Sequence, residues 1–314
     1  MPREREYCFD HLRALLVLLV VFGHYLELTG AAALYRAIYV FHIPALLFLS
    51  GRYARFSVRR LLRLLLTYAV FQTLYRLFDW LVTGRPQTPA QWIFVPYWHL
   101  WYLVALAAML ALTPCMEKLP ERFRIPMLLA SVCVALFWGF LPFSGYYFSF
   151  GRILSFFPFY LAGLYLKSRR PPYGKRRAVF LPVLAAAAIT GTLLLVRSPL
   201  PTALLYGSMN FARSGGTLPQ KLAALTLGFL WVALLFTLPW PTRPIPVWSV
   251  YGRRTLSIYL LHGFLVRLVE HFGFSPRSAA GALAFALATT ALLGLVPEQI
   301  FHGRSFFRKM KNFD

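Results

Sequence analysis

Histidines inside apolar runs, and arginines at the ends of such runs, are the residues of this chain that could do chemistry. The stretch DHLRALLVLLVVFGHYLE, residues 10–27, sets Arg13 and His24 eleven positions apart. In an α-helix eleven residues turn through about 1100° and rise about 16 Å, so the two side chains share one face. Asp10 stands one turn before Arg13, and Glu27 follows His24 by three residues on nearly the same face. Histidine titrates near neutrality, which makes His24 a candidate general base and Glu27 a candidate group to orient or polarise it. The architectural alternative is that His24 hydrogen-bonds a neighbouring helix. His262, in SIYLLH at 257–262, lies eight residues, or about 12 Å, beyond Arg254. That depth is comparable to that of His24, so the two histidines are expected to converge. The alternative for His262 is a helix bridge with Tyr259 one turn below.

Arg52, Arg55, Arg59, Arg60 and Arg63 supply five guanidinium groups within twelve residues. Forked donors of this kind suit phosphates, although membrane topology and anionic lipid account for most of them. Arg63 is the favoured phosphate ligand because it stands about one turn inside the following apolar run, with Arg60 three residues before it on the same face; either Arg59 or Arg60 is the second. Arg152, inside another apolar stretch, needs a partner or an anionic ligand. Arg76 and Asp79, three residues apart, are expected to neutralise each other. His42-Ile43-Pro44 is expected to break its helix, with His42 satisfying the broken turn or serving a site.

The elements that must position these groups are membrane spans. The chain is 314 residues long, 59% hydrophobic and 14% charged, with a mean hydropathy of +0.59, far more apolar than a soluble domain. The formal charge of +23 does not indicate a nucleic-acid binder, because the basic residues punctuate long apolar runs instead of gathering on a soluble face. Stretches near the length that crosses about 30 Å of hydrocarbon occur at 12–29, 33–52, 61–82, 97–114, 125–142, 147–166, 178–196, 222–239, 247–268 and 280–298. Of the 33 Lys and Arg, 24 fall on one set of alternate sides and 9 on the other. This places both termini in the cytoplasm. Arg3, Arg5 and the apolar stretch before AAA at 31–33 imitate a secretory signal, but His24, Glu27 and nine later spans mark the segment as span one. Cys8, Cys115 and Cys133 show no metal-ligand spacing. There is no internal repeat, so residues 1–314 are expected to form one all-α domain, a polytopic membrane bundle of about ten helices.

Six segments occur in an order that resembles the acyltransferase-3 family of integral-membrane acyltransferases, typified by O-antigen and fucose O-acetylases. They are the Asp10–Arg13–His24 stripe, FHIPALLFLSG at 41–51, RRLLR at 59–63, HLWYLVAL at 99–106, FFPFYLAGLYLK at 156–167 and SIYLLH at 257–262. The resemblance covers essentially the whole chain. It implies a ten-helix enzyme of the cell membrane, here bacterial plasma membrane, that takes an acyl group from cytoplasmic acyl-CoA, usually acetyl-CoA, to a glycan hydroxyl. His24, Glu27 and His262 would then be catalytic, and Arg13, Arg60 and Arg63 would hold the acyl-CoA. Arg13 would guide the thioester end or pair with Asp10. His42, Trp101 and Arg152 would meet the acceptor, with a sugar stacked on Trp98 or Trp101 unless these rings merely form an interfacial belt. The expected partners are a glycan or glycolipid acceptor and membrane lipid, with neither metal nor nucleic acid. The resemblance also implies that any SGNH-type domain completing the transfer would be a separate chain.

Two other classes compete with this reading. A secondary transporter of a small anionic or sugar substrate would also carry intramembrane charges, but usually in repeated halves with paired broken helices. Neither FHIP nor the Arg13–His24 stripe recurs. A non-catalytic lipid-binding protein would explain the basic clusters but not histidines at matched depth.

Overall fold

The computed structural model describes residues 7–84, 87–142, 145–167 and 175–296, with only the backbone of 175–178. Arg3, Arg5, Arg85, Arg169, Arg170, Arg304, Arg308, Lys309 and Lys311 of the charge asymmetry lie outside the described residues, as do the side chains of Lys175, Arg176 and Arg177 and the last two residues of the 280–298 stretch. Regular structure among the described residues is helical. The helices are α1 (Tyr7–Glu27), α2 (Ala32–Arg52), α3 (Val58–Thr83), α4 (Pro89–Phe94), α5 (Trp101–Glu117), α6 (Glu121–Phe137) and α7 (Phe150–Tyr165). They continue with α8 (Lys175–Arg197), α9 (Thr202–Leu205), α10 (Phe211–Ser214), α11 (Leu218–Thr237), α12 (Pro246–Arg253), α13 (Thr255–His271) and α14 (Ala279–Leu293).

Local sequence sets many of the boundaries. Ser57 caps α3 by accepting from the Arg60 amide, and Gly84 ends that helix in a left-handed conformation at φ 67°. Thr88 with Gln91 and Thr217 with Gln220 form capping boxes that start α4 and α11, each with proline in the first turn. Seven described helices are long and apolar enough to cross a membrane. The other three expected spans hold the shorter helices α7, α13 and α14.

The chain forms two compact units, one of residues 1–30 with 240–314 and the other of residues 31–239. In the first, α1 packs against α12, α13 and α14. In the second, α2 packs on α7 and α11, α7 also meets α5 and α6, and α8 lies on α11. Gly51 and Gly163 let the α2 and α7 backbones touch, since a Cβ at either would overlap a carbonyl of the other helix, Tyr160 or Phe48. In its most apolar window α1 is 72% buried, whereas the window from Val179 to Arg197 is 17% buried. α8 is therefore peripheral. α3 exposes Leu62, Leu66, Leu74, Leu77 and Leu81. A helix apolar on its outward face suits lipid, and with the other apolar helices it fits a multi-pass membrane protein.

Two expectations are corrected and a third is refined. The stretch 247–268 is not one helix: α12 and α13 meet at Arg254, whose guanidinium hydrogen-bonds the Gly294 carbonyl. Pro44 lies within a continuous α2, and the His42 ring bonds the Ile38 carbonyl at 2.9 Å. Arg76 and Asp79 are electrostatic partners, as expected, but without a direct hydrogen bond. Arg76 donates to Gln87 at 2.5 Å, and Gln87 donates to Asp79 at 2.8 Å, so a glutamine bridges the two charges.

Candidate active site

In the first unit α1 carries its polar stripe against three neighbours. His24 Nδ1 lies 3.3 Å from Glu27 Oε2. Because a carboxylate only accepts, that bond puts the ring proton on Nδ1 and the basic lone pair on Nε2. His262 stacks on His24 with ring centroids 5.2 Å apart and planes 25° from parallel. Its Nδ1 lies 2.8 Å from the Tyr259 carbonyl and 3.1 Å from that of Ile258, so its lone pair is also on Nε2. The expected tyrosine link of His262 therefore runs to the Tyr259 backbone. His262 is wholly buried, while the His24 and Glu27 side chains are 15% and 29% exposed. Of the two imidazoles, His24 is the one a substrate can reach.

Lower on the same stripe, Arg13 Nη1 is 3.3 Å from Asp10 Oδ1. His11, which sequence reasoning passed over, clamps α12 to α1: its Nε2 accepts from the Ile245 amide at 3.3 Å and from the Ser249 hydroxyl at 3.2 Å. Gly252 makes that approach close, because a Cβ there would overlap the Asp10 carbonyl. Tyr25 reaches α14 through a 2.8 Å bond to Thr289. Three helices thus fix the rotation of α1, and with it the aim of His24.

In the second unit the structure brings Trp101 and Arg152 together, with the guanidinium 4.6 Å above the indole. Trp101 is buried, so it packs inside the bundle and does not stand in an interfacial belt. Tyr39 joins His42 to this group, their ring centroids 5.0 Å apart and Tyr39 an electrostatic neighbour of Arg152. Arg60 and Arg63 occupy the first two turns of α3; Arg60 is exposed and donates to the Arg55 carbonyl at 2.9 Å, and Arg63 is half-buried. Arg52 is buried and donates to the Leu166 carbonyl at 2.5 Å, so it ties down the end of α7. Sequence reasoning also missed Tyr35, Tyr206 and Lys221. The four-residue step from Tyr35 to Tyr39, with His42 three further on, was the available signal on α2.

The described residues thus form helices apolar enough for a membrane, with a carboxylate-linked, partly exposed His24 stacked on a buried His262. The chain is a member of the acyltransferase-3 family, whose acyltransferase-domain profile matches residues 6–296. Every residue of the histidine group lies inside that match. No curated protein and no solved structure matches the chain.

Proposed function

We propose that the protein is a membrane O-acyltransferase that moves an acetyl group from cytoplasmic acetyl-CoA, or a related acyl group from its CoA thioester, to a hydroxyl of a cell-surface or lipid-linked glycan. The observation that carries this reading is the His24–Glu27 pair stacked on His262 inside an acyltransferase domain. His24 Nε2 removes the proton as the acceptor oxygen attacks the thioester carbonyl. The tetrahedral intermediate then collapses, the C–S bond breaks, and the imidazolium returns that proton to the departing thiolate. The products are an ester and free CoA, and the histidine ends neutral. Glu27 holds the tautomer and stabilises the transient imidazolium. His262 supports the ring through stacking, its own orientation fixed by two backbone carbonyls.

The donor phosphates fit the first turns of α3, where Arg60 is exposed to them and Arg63 lies one turn deeper. Arg13, already paired with Asp10, sits on the same face of α1 as His24 and suits a role near the thioester end. The charge asymmetry supports ten spans with cytoplasmic termini, and the family resemblance is the ground for a bacterial plasma membrane. Membership in an acyltransferase family disfavours the transporter reading. The test is to incubate the reconstituted protein with acetyl-labelled acetyl-CoA and candidate glycans. Label in the glycan, dependent on His24, is the expected result; no transfer, together with uptake of a sugar or anion into vesicles, would reinstate the transporter.

A further inference from the structure

Arg152 presents a charge that the histidine chemistry leaves unexplained. It is the third residue of α7 and is 8% exposed. Its Nε has no hydrogen-bond partner, and among the described residues no carboxylate pairs with the guanidinium. Trp101 and Tyr146 lie beneath it at 4.6 and 5.2 Å, and Tyr35, Tyr39 and Tyr206 are further electrostatic neighbours. Tyr206 has its ring centroid 5.2 Å from that of Tyr39 and 6.3 Å from that of Tyr35. Ring faces hold the plane of a guanidinium but leave its N–H edge uncommitted. The first turn of a helix is also the wrong end for a cation, since the macrodipole is positive there. A buried charge placed so unfavourably calls for an anion.

A cavity of about 40 Å³ adjoins this group. Tyr39, Ser155, Gly207 and Lys221 are among its walls, and Ser155 is one turn along α7 from Arg152. Ser155 Oγ accepts from the Trp138 indole at 2.7 Å and donates to the Gly207 carbonyl at 3.3 Å. Lys221 is 5% exposed and lies over Trp138 at 4.7 Å and Phe211 at 5.7 Å, again with no carboxylate partner among the described residues. The second unit thus buries two basic side chains, Lys221 in the wall of a largely apolar cavity and Arg152 one turn from Ser155 in that wall, and no described carboxylate pairs with either.

We propose that Arg152, assisted by Lys221, binds an oxyanion carried by the acceptor, either the carboxylate of an acidic sugar or the phosphate of a lipid-linked one. The inference rests on the acyltransferase reading for the word acceptor, but its test needs no acyl donor. Purified protein in detergent is titrated with glucuronic acid, glucose, inorganic phosphate and a short-chain polyprenyl phosphate, and binding is read by tryptophan fluorescence and thermal shift. Saturable binding of glucuronic acid or polyprenyl phosphate is expected, absent for glucose and weakened roughly ten- to hundredfold in Arg152→Met. Whichever of the two binds identifies the source of the oxyanion. Arg152→Lys should recover only part of the affinity, because it keeps the charge without the fork. Should Arg152→Met fail to fold, Lys221→Met and the wild-type titration carry the test. No saturable binding to the wild type, a response to inorganic phosphate alone, or equal affinity in the variants overturns the proposal. Acyl transfer to a neutral glycan without oxyanion binding would leave the acyltransferase reading standing while this one falls.

Discussion

Asparagine at position 24 separates proton transfer from architecture. Its amide can still donate to Glu27, which now lies 3.3 Å from the imidazole, so the local hydrogen bond survives. What it lacks is a nitrogen that accepts a proton at neutral pH. Loss of a general base costs about 10²–10⁴ in turnover, or about 2.7–5.4 kcal/mol of barrier. The stack on His262, at 5.2 Å, is also lost, but an aromatic pair contributes only about 0.5–1.5 kcal/mol. The protein should therefore remain folded while turnover collapses. At position 262 asparagine can still donate to the Tyr259 carbonyl but forfeits the stack on His24, whose loss lowers turnover by about 2- to 13-fold. Glu27→Gln keeps an acceptor in a long, partly exposed bond and should lose less than about tenfold. The assay is transfer of labelled acetyl from acetyl-CoA at matched amounts of folded protein, with the dependence on acyl-CoA measured in each variant. His24→Asn within a few-fold of wild type would refute the base assignment. A larger loss in His262→Asn than in His24→Asn would exchange the two roles.

Alanine at both Arg60 and Arg63 should raise the Michaelis constant for acyl-CoA, with lysine rescuing in part and Arg59→Ala serving as control; unchanged donor dependence would return both residues to a topological role. In a cysteine-free background, Ala90→Cys should react with an impermeant thiol reagent added to intact cells and Thr242→Cys should not; labelling at 242 would contradict ten spans with cytoplasmic termini. Gly252→Ala should lower thermal stability by about 1–3 kcal/mol, because its Cβ meets the Asp10 carbonyl and pushes α12 from α1. Unchanged melting would mean that the two helices already stand apart.

Much of α1 was legible because helical periodicity alone puts Asp10, Arg13, His24 and Glu27 on one face. Cap residues such as Ser57, Thr88 and Thr217 likewise advertise helix starts through local chemistry. Depth arithmetic put His24 and His262 at comparable levels, but only packing brings the two rings face to face. Elsewhere the determining partner is distant in sequence. The break at Arg254 depends on the Gly294 carbonyl, and the separation of Arg76 from Asp79 depends on Gln87. The tyrosines around Arg152 come from separate segments, so no window of sequence contains them. A helix that faces lipid adds a further difficulty: α3 is apolar nearly all round, and its pattern does not say which face packs.

The unit that holds the histidine pair draws on both flanks of the chain, and this sets a timetable for biogenesis. Ser249, His262 and Thr289, which meet His11, His24 and Tyr25, are synthesised more than two hundred residues after α1. At about 5–20 residues per second, α1 waits roughly ten to forty seconds in the translocating membrane with its polar stripe uncovered. During that interval the insertion machinery, or the helices already made, must shelter Asp10, His11 and Arg13 from lipid. Nascent chains stalled before residue 246 should accordingly leave α1 crosslinkable to the insertase, and chains released beyond residue 293 should not.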